Sequence, residues 1–170
     1  MKNRYYFVAL LIFLVDHAAK WAVCAKLNPA QPIELIPGYL RLSFTYNTGV
    51  AFGFFDKVES AWKPYILAAL AVVAVVIILI YSARMPQNRI LLHWALAITM
   101  GGILGNFADR IIRGHVIDFI EFHIQEAFYW PTFNAADSAI TIGIALLLID
   151  TVKNPVTEEV AGQSTANERP

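Results

Sequence analysis

Asp118 and Asp137 stand at the two ends of one short connecting stretch in a chain that is otherwise mostly apolar. Placing a carboxylate at membrane depth costs roughly 2.5–3.5 kcal/mol on insertion scales, so an acid retained there has work to do. Both sit in distinctive surroundings, Gly114-His-Val-Ile-Asp-Phe119 and Phe133-Asn-Ala-Ala-Asp137. Two neighbouring carboxylates resist ionising together, so one keeps a proton while the other is charged. The charged partner can activate water and the protonated one can polarise a peptide carbonyl. Spacing alone fits equally a solvated Asp118 and an Asp137 that merely begins a helix. The neighbouring motifs weigh against that reading.

Further polar residues recur at helical spacing. Asn106, Asp109, Arg110 and Arg113 follow an i, i+3, i+4, i+7 pattern and share one helix face. Gly101 and Gly105 form a GxxxG that lets another helix approach closely. Arg110 and Arg113 suit a lipid phosphate or a substrate carbonyl, or simply snorkel from a helix end. Asp16 and Lys20, four apart, can pair and support the fold beside a site. Asn47-Thr48-Gly49 has the look of an aspartic-protease Asp-Thr-Gly without its acid. Asn47 can therefore hydrogen-bond a substrate backbone but supplies no carboxylate, and Gly49 and Gly53 permit close backbone approach. The histidines, His17, His93, His115 and His123, show no metal-ligand spacing. A metal held by Asp109, Asp118, Glu121 and Asp137 is conceivable but not indicated. No Gly-x-Ser-x-Gly occurs.

The elements that must position these groups are membrane helices. Of 170 residues, 58% are hydrophobic and only 15% charged, against about 25% charged in an ordinary soluble domain. The formal net charge of zero gives no reason to expect nucleic acid, and one cysteine, Cys24, excludes an internal disulfide. Helices are expected over about 5–26, 64–83, 90–112 and 134–152, with a β-rich loop over about 33–58 and a polar, disordered tail over 154–170. The last apolar run is short. Reaching the roughly 20 residues a span needs puts its start near Asn134, with Asn134 as N-cap and Asp137 in the first turn, where an acid suits the helix dipole. The first segment lacks a small-x-small cleavage site and carries Asp16 and Lys20, so it reads as a retained helix and not a signal peptide.

Four spans place the loop between the first and second helices on the same side as the loop between the third and fourth. Every unusual polar motif except the Asp16/Lys20 pair therefore converges on one face. Lys2, Arg4, Arg84 and Arg89 flank the other side and favour a cytoplasmic N-terminus, although Lys26, Arg41, Lys57, Lys63, Arg110 and Arg113 lie on the motif side. Leu40, Leu42 and Phe44 alternate with Arg41, Ser43 and Thr45 after a Pro37-Gly38 turn signal, predicting a strand in a small interfacial sheet. Tyr129 and Trp130 are suited to anchor at the interface. A proton-coupled transporter, a lipid-binding scaffold and a metal-dependent phospholipid transferase remain alternatives. The second helix carries no polar group at mid-membrane, which disfavours the transporter.

Five stretches, in order, carry a resemblance: Asp16-His-Ala-Ala-Lys20, Asn47-Thr-Gly-Val-Ala-Phe-Gly53, Gly101-Gly-Ile-Leu-Gly-Asn-Phe-Ala-Asp-Arg110, Gly114-His-Val-Ile-Asp-Phe119 and Phe133-Asn-Ala-Ala-Asp137. Together they resemble the lipoprotein signal peptidase (signal peptidase II) family of bacterial membrane aspartyl proteases. The resemblance implies a mainly α membrane protein, four transmembrane helices with a small extracytoplasmic β-cradle, forming one protease domain over 1–153. It implies Asp118 and Asp137 as the catalytic pair, with Asn47, Gly49, Asn106, Arg110 and Asn134 lining the site and Asp16, Lys20, Gly101 and Gly105 supporting it. No metal or cofactor is implied. The implied substrate is a prolipoprotein cut just before its diacylglyceryl-modified cysteine, and the implied inhibitor is a globomycin-type cyclic peptide. The enzyme would be a monomer among inner-membrane phospholipids, both termini cytoplasmic and the site on the extracytoplasmic face.

Overall fold

The computed structural model describes residues 3–49, 61–125 and 127–154. Four helices, α1 (Asn3–Lys26), α2 (Lys63–Arg84), α3 (Ile90–Arg113) and α4 (Ala135–Lys153), are each long and apolar enough to cross a membrane. Four strands, β1 (Ile33–Ile36), β2 (Leu40–Asn47), β3 (Val116–Ile124) and β4 (Phe128–Tyr129), form one antiparallel sheet in the order β1-β2-β3-β4. This is the helical bundle with a small sheet that composition and periodicity lead one to expect. Residues 50–58 of the expected β-rich loop, including Gly53, and residues 155–170 of the expected tail lie outside the described residues.

One expectation needs correcting in its extent. The sequence pattern places the sheet within the first loop, yet its longest strand, β3, belongs to the second and carries Asp118. The reason is burial on both faces. Val116, Ile117, Asp118 and Phe119 are all buried, so no clean apolar–polar alternation marks the strand. Val23 at the end of α1 packs with Ile117 and Phe119, joined by Leu42 and Phe44 of β2, and so fastens the sheet onto the bundle.

Within the bundle α3 is central. It packs against α1, α2 and α4, whereas α2 packs chiefly against α3. Small residues set the spacing. A Cβ added at Gly101 would lie 2.7 Å from the Ala9 carbonyl oxygen of α1, and one at Gly102 would collide with the Ala136 carbonyl oxygen of α4. Both helices therefore touch α3 at backbone distance, which only a missing side chain allows. At the end of the bundle away from the sheet, Arg89 pairs with buried Asp150, and His93 meets the Ser82 hydroxyl at 3.2 Å, tying α2, α3 and α4 together. Gly114 ends α3 with φ +75°, a left-handed cap that turns the chain directly into β3.

Gly102→Ala is expected to lower stability by about 1–3 kcal/mol, the usual cost of overpacking a tight core, read as a lower thermal midpoint in detergent micelles. An unchanged midpoint would show that α3 and α4 are not in backbone contact.

Candidate active site

β3 presents Asp118 opposite Thr45 of β2, and Asn47, opposite Val116, is its diagonal neighbour on the same face. Asn47 donates from Nδ2 to Asp118 Oδ2 at 2.8 Å, and its own Oδ1 accepts the Gly49 N–H at 2.8 Å. On the other side of β3 the chain entering α4 runs as a bridge partner. The N–H groups of Phe119 and Ile120 both donate to the Phe133 carbonyl, at 3.0 and 2.8 Å. That contact brings Asn134 beside Asp118, where its Nδ2 donates to Asp118 Oδ1 at 2.6 Å.

Asn134 is also the N-cap of α4. Its Oδ1 accepts the Asp137 N–H at 2.9 Å while Asp137 Oδ2 accepts the Asn134 N–H at 3.2 Å, a reciprocal capping box. Asn106 of α3 completes the frame by donating from Nδ2 to Asp137 Oδ1 at 2.7 Å and accepting from Asn134 Nδ2 at 3.2 Å. One fully buried side chain, Asn134, thus touches Asp118, Asn106 and the backbone of Asp137. Residues from β2, α3, β3 and the start of α4 meet here, and four amide N–H groups hold the two carboxylates.

Beneath lies a buried ionic cluster. Lys20 has no solvent exposure and reaches Asp16 Oδ2 at 2.7 Å, Asp109 Oδ2 at 2.8 Å and Asn106 Oδ1 at 3.2 Å. Arg113 pairs with Asp109, so two cations answer two carboxylates. Each carboxylate also reaches backbone near the acid pair. Asp16 Oδ1 accepts the Ala136 N–H at 2.9 Å, and Asp109 Oδ2 accepts the Ile117 N–H at 3.4 Å. Gly105 makes room, since a Cβ there would meet Asp16 Oδ2 at 2.6 Å. Asp16 and Lys20, expected to pair and to support the fold beside the site, do pair, and Asp109 joins them as a second acid on the same ammonium. In sequence Asp109 shares a helix face with Asn106 and Arg110, and its pairing with Lys20 adds it to the supporting residues. A lysine buried between two helices needs more than one acid, and that was the available signal.

Arg110 donates to the carbonyls of Asn106 at 3.1 Å and Gly49 at 2.9 Å, pinning the segment after β2 to α3. Beside it α2 and α4 stand apart over α3. The resulting cleft, about 220 Å³, is lined by Asn47, Leu70, Ala74, Asn106, Arg110 and Asp137. Of the other acids considered for a metal, Asp109 is engaged by Lys20 and Glu121 by Arg41 at 2.6 Å. Burial, reinforced by the charge of Asp137, pushes the Asp118 carboxyl up to about 7, against the opposing hydrogen bonds from Asn47 and Asn134.

Two carboxylates held by amides at one end of a four-helix membrane bundle, with a cleft opening beside them, are the arrangement that a membrane-embedded aspartic-type hydrolase requires. The family model described as signal peptidase (SPase) II matches residues 8–153, and the chain belongs to that family. Among its relatives are lipoprotein signal peptidases of Ectopseudomonas mendocina (strain ymp), 39% identical over 92% of each chain, and of Pseudomonas fluorescens (strain Pf0-1), 40% identical over 89% of each. A solved structure described as a bacterial membrane enzyme, determined in meso at 1.9 Å resolution, superposes with a TM-score of 0.78. It is 27% identical, over 89% of this chain and 94% of that one. A second such structure, 24% identical with a TM-score of 0.80, agrees in fold. The protein is accordingly a bacterial membrane aspartic endopeptidase of the kind that removes signal peptides from prolipoproteins.

The raised Asp118 carboxyl has a consequence for stability. It binds its proton more tightly folded than unfolded, so its cost to the fold is absent below about pH 4, grows as pH rises, and is complete above about 7. The thermal midpoint of Asp118→Asn relative to wild type should therefore climb across that window. A difference independent of pH would refute the assignment.

Proposed function

We propose that this enzyme cuts diacylglyceryl-modified prolipoproteins just before the lipidated cysteine, using a water activated between Asp118 and Asp137. The observation that carries this reading is the Asn134 side chain, which binds Asp118 and caps Asp137 at once. Such a link holds two acids from different elements in one fixed relation. Asp137 sits in the first turn of α4, where the helix dipole favours the anion, so it serves as the base that takes a proton from water. Asp118, whose carboxyl burial raises to about 7, is the acid of the pair in this reading and donates its proton to the scissile carbonyl as the tetrahedral intermediate forms. Collapse of that intermediate returns a proton to the leaving amine and regenerates the pair, with no covalent intermediate.

Asn47, Asn106 and Arg110 line the cleft between α2 and α4 and act on the extended cleavage segment, with Gly49 leaving room for its backbone. Arg110 has five N–H donors, and only two hydrogen bonds to carbonyls are described for it. Asp16, Lys20, Gly101 and Gly105 hold the frame in place. The protein works as a monomer in the phospholipid of the inner membrane, termini cytoplasmic and the sheet on the extracytoplasmic side. A globomycin-type cyclic peptide would compete for the same cleft.

Purified enzyme given a diacylglyceryl-modified prolipoprotein should lose at least about 10²-fold in rate on either Asp118→Asn or Asp137→Asn, and EDTA should leave the wild type unaffected. Full activity in Asp118→Asn would sink the mechanism. The rate should also decline as pH rises through about 7, where Asp118 gives up its proton; a rate still climbing well above that pH would reverse the assigned roles.

A further inference from the structure

Asp137 faces two openings. One is the cleft between α2 and α4. The other lies on the far side of the first turns of α4, a groove of about 440 Å³ between that helix and the sheet, lined by Phe122, Trp130, Phe133, Asp137, Ile140 and Ile142. The two differ in what they offer a ligand. In the second groove the hydroxyls of Ser138 and Thr141 already donate to the carbonyls of Asn134 and Asp137, at 3.0 and 2.8 Å. The backbone of the aromatic wall is likewise engaged. The Trp130 N–H donates to the Phe122 carbonyl at 2.8 Å, and the Phe133 N–H to the Ile120 carbonyl at 3.0 Å. Phe122 and Phe133 stack with ring centroids 5.6 Å apart.

A peptide laid in that groove would find few partners for its own N–H and C=O groups, and burying them unpaired is unfavourable. A hydrocarbon chain asks for no partner. The cleft between α2 and α4 offers more, since Arg110 has five N–H donors and the Nδ2 groups of Asn47 and Asn106 each carry a second hydrogen besides the one given to an aspartate. Ile142, at 54% exposure on a helix long and apolar enough to cross a membrane, lies on the outer surface of the bundle at one side of the groove.

We propose that the groove between α4 and the sheet seats the S-linked acyl chains of the substrate, while the cleft between α2 and α4 takes the peptide. Phe122, Phe133 and Ile142 are then specificity-determining residues for the lipid. The assignment rests on the lipoprotein-cleaving reading above and adds to it the path of each arm. Asp137, common to both openings, lies where peptide and lipid diverge, at the residue following the bond that is cut.

Two substrates with one peptide sequence test this, one carrying dipalmitoylglyceryl and the other dibutyrylglyceryl on the cysteine. Ile142→Trp should cut kcat/KM for the long-chain substrate about tenfold, the equivalent of roughly two buried methylenes, and change the short-chain substrate less than about twofold. Equal losses on both, or no loss on the long-chain substrate, would overturn the assignment. Wild-type cleavage of both substrates, abolished in Asp118→Asn, keeps the two readings separate; its failure would overturn the catalytic reading and this one with it. A second measurement does not depend on how the tryptophan variant folds. The Asp118→Asn enzyme is photolysed with a substrate bearing a diazirine at mid-chain, and labelled peptides are identified. Labelling of Phe122, Phe133 or Ile142 supports the groove, whereas labelling of Leu70 or Ala74 places the lipid in the other cleft and refutes it.

Discussion

The ammonium of Lys20 lies between Asp16 and Asp109 with no exposure to solvent, and the geometry of the site descends from that arrangement. A buried charge is tolerated only when partners answer it, and removing one partner of such a pair typically costs about 3–5 kcal/mol. The cluster therefore cannot relax by one helix drifting. It joins α1 to α3, and through the N–H groups of Ala136 and Ile117 it extends to the first turn of α4 and the start of β3. Those segments carry Asp137 and Asp118. The ion cluster contributes position, and the amides above it contribute the frame in which the two acids face each other.

Amides are well suited to that frame. Asn47, Asn106 and Asn134 donate to the carboxylates without bringing a full positive charge against them. A cation in direct contact would hold both acids ionised, whereas the proposed mechanism needs one of them protonated. Here burial dominates at Asp118, and its carboxyl rises to about 7 in spite of two amide donors. The cations of the cluster are kept one layer away. Lys20 contacts Asn106 and not Asp137, and Arg113 contacts Asp109.

The helix arrangement gives this site its access. Because α2 leans chiefly on α3, a gap remains between α2 and α4 that a fully closed bundle would not have. The sheet, fastened by Val23, Ile117 and Phe119, forms a wall above the other side of α4. Openings on either side of Asp137 suit the proposed substrate, whose peptide and lipid arms would take one each.

Much of this was legible in the chain itself. Four apolar spans follow from run length, because lipid offers no partner to an unpaired backbone. Counting those spans puts the acids and the Asn-rich motifs at one end. The shortness of the last apolar run marks Asn134 as a cap and Asp137 as a first-turn acid, since such a helix can reach its length only by beginning there. What the sequence could not decide is which groups meet. β3 is buried on both faces and shows no alternation, so its pairing with β2, and with it the Asn47–Asp118 contact, exists only once the bundle brings the two loops together. Asp109 looks in sequence like any acid on a helix face. Its role depends on Lys20, 89 positions earlier, and on glycines that admit α1 to backbone distance. Local periodicity is set by a residue's near neighbours, whereas a buried charge is satisfied by partners remote in the chain, and only the tertiary structure supplies those.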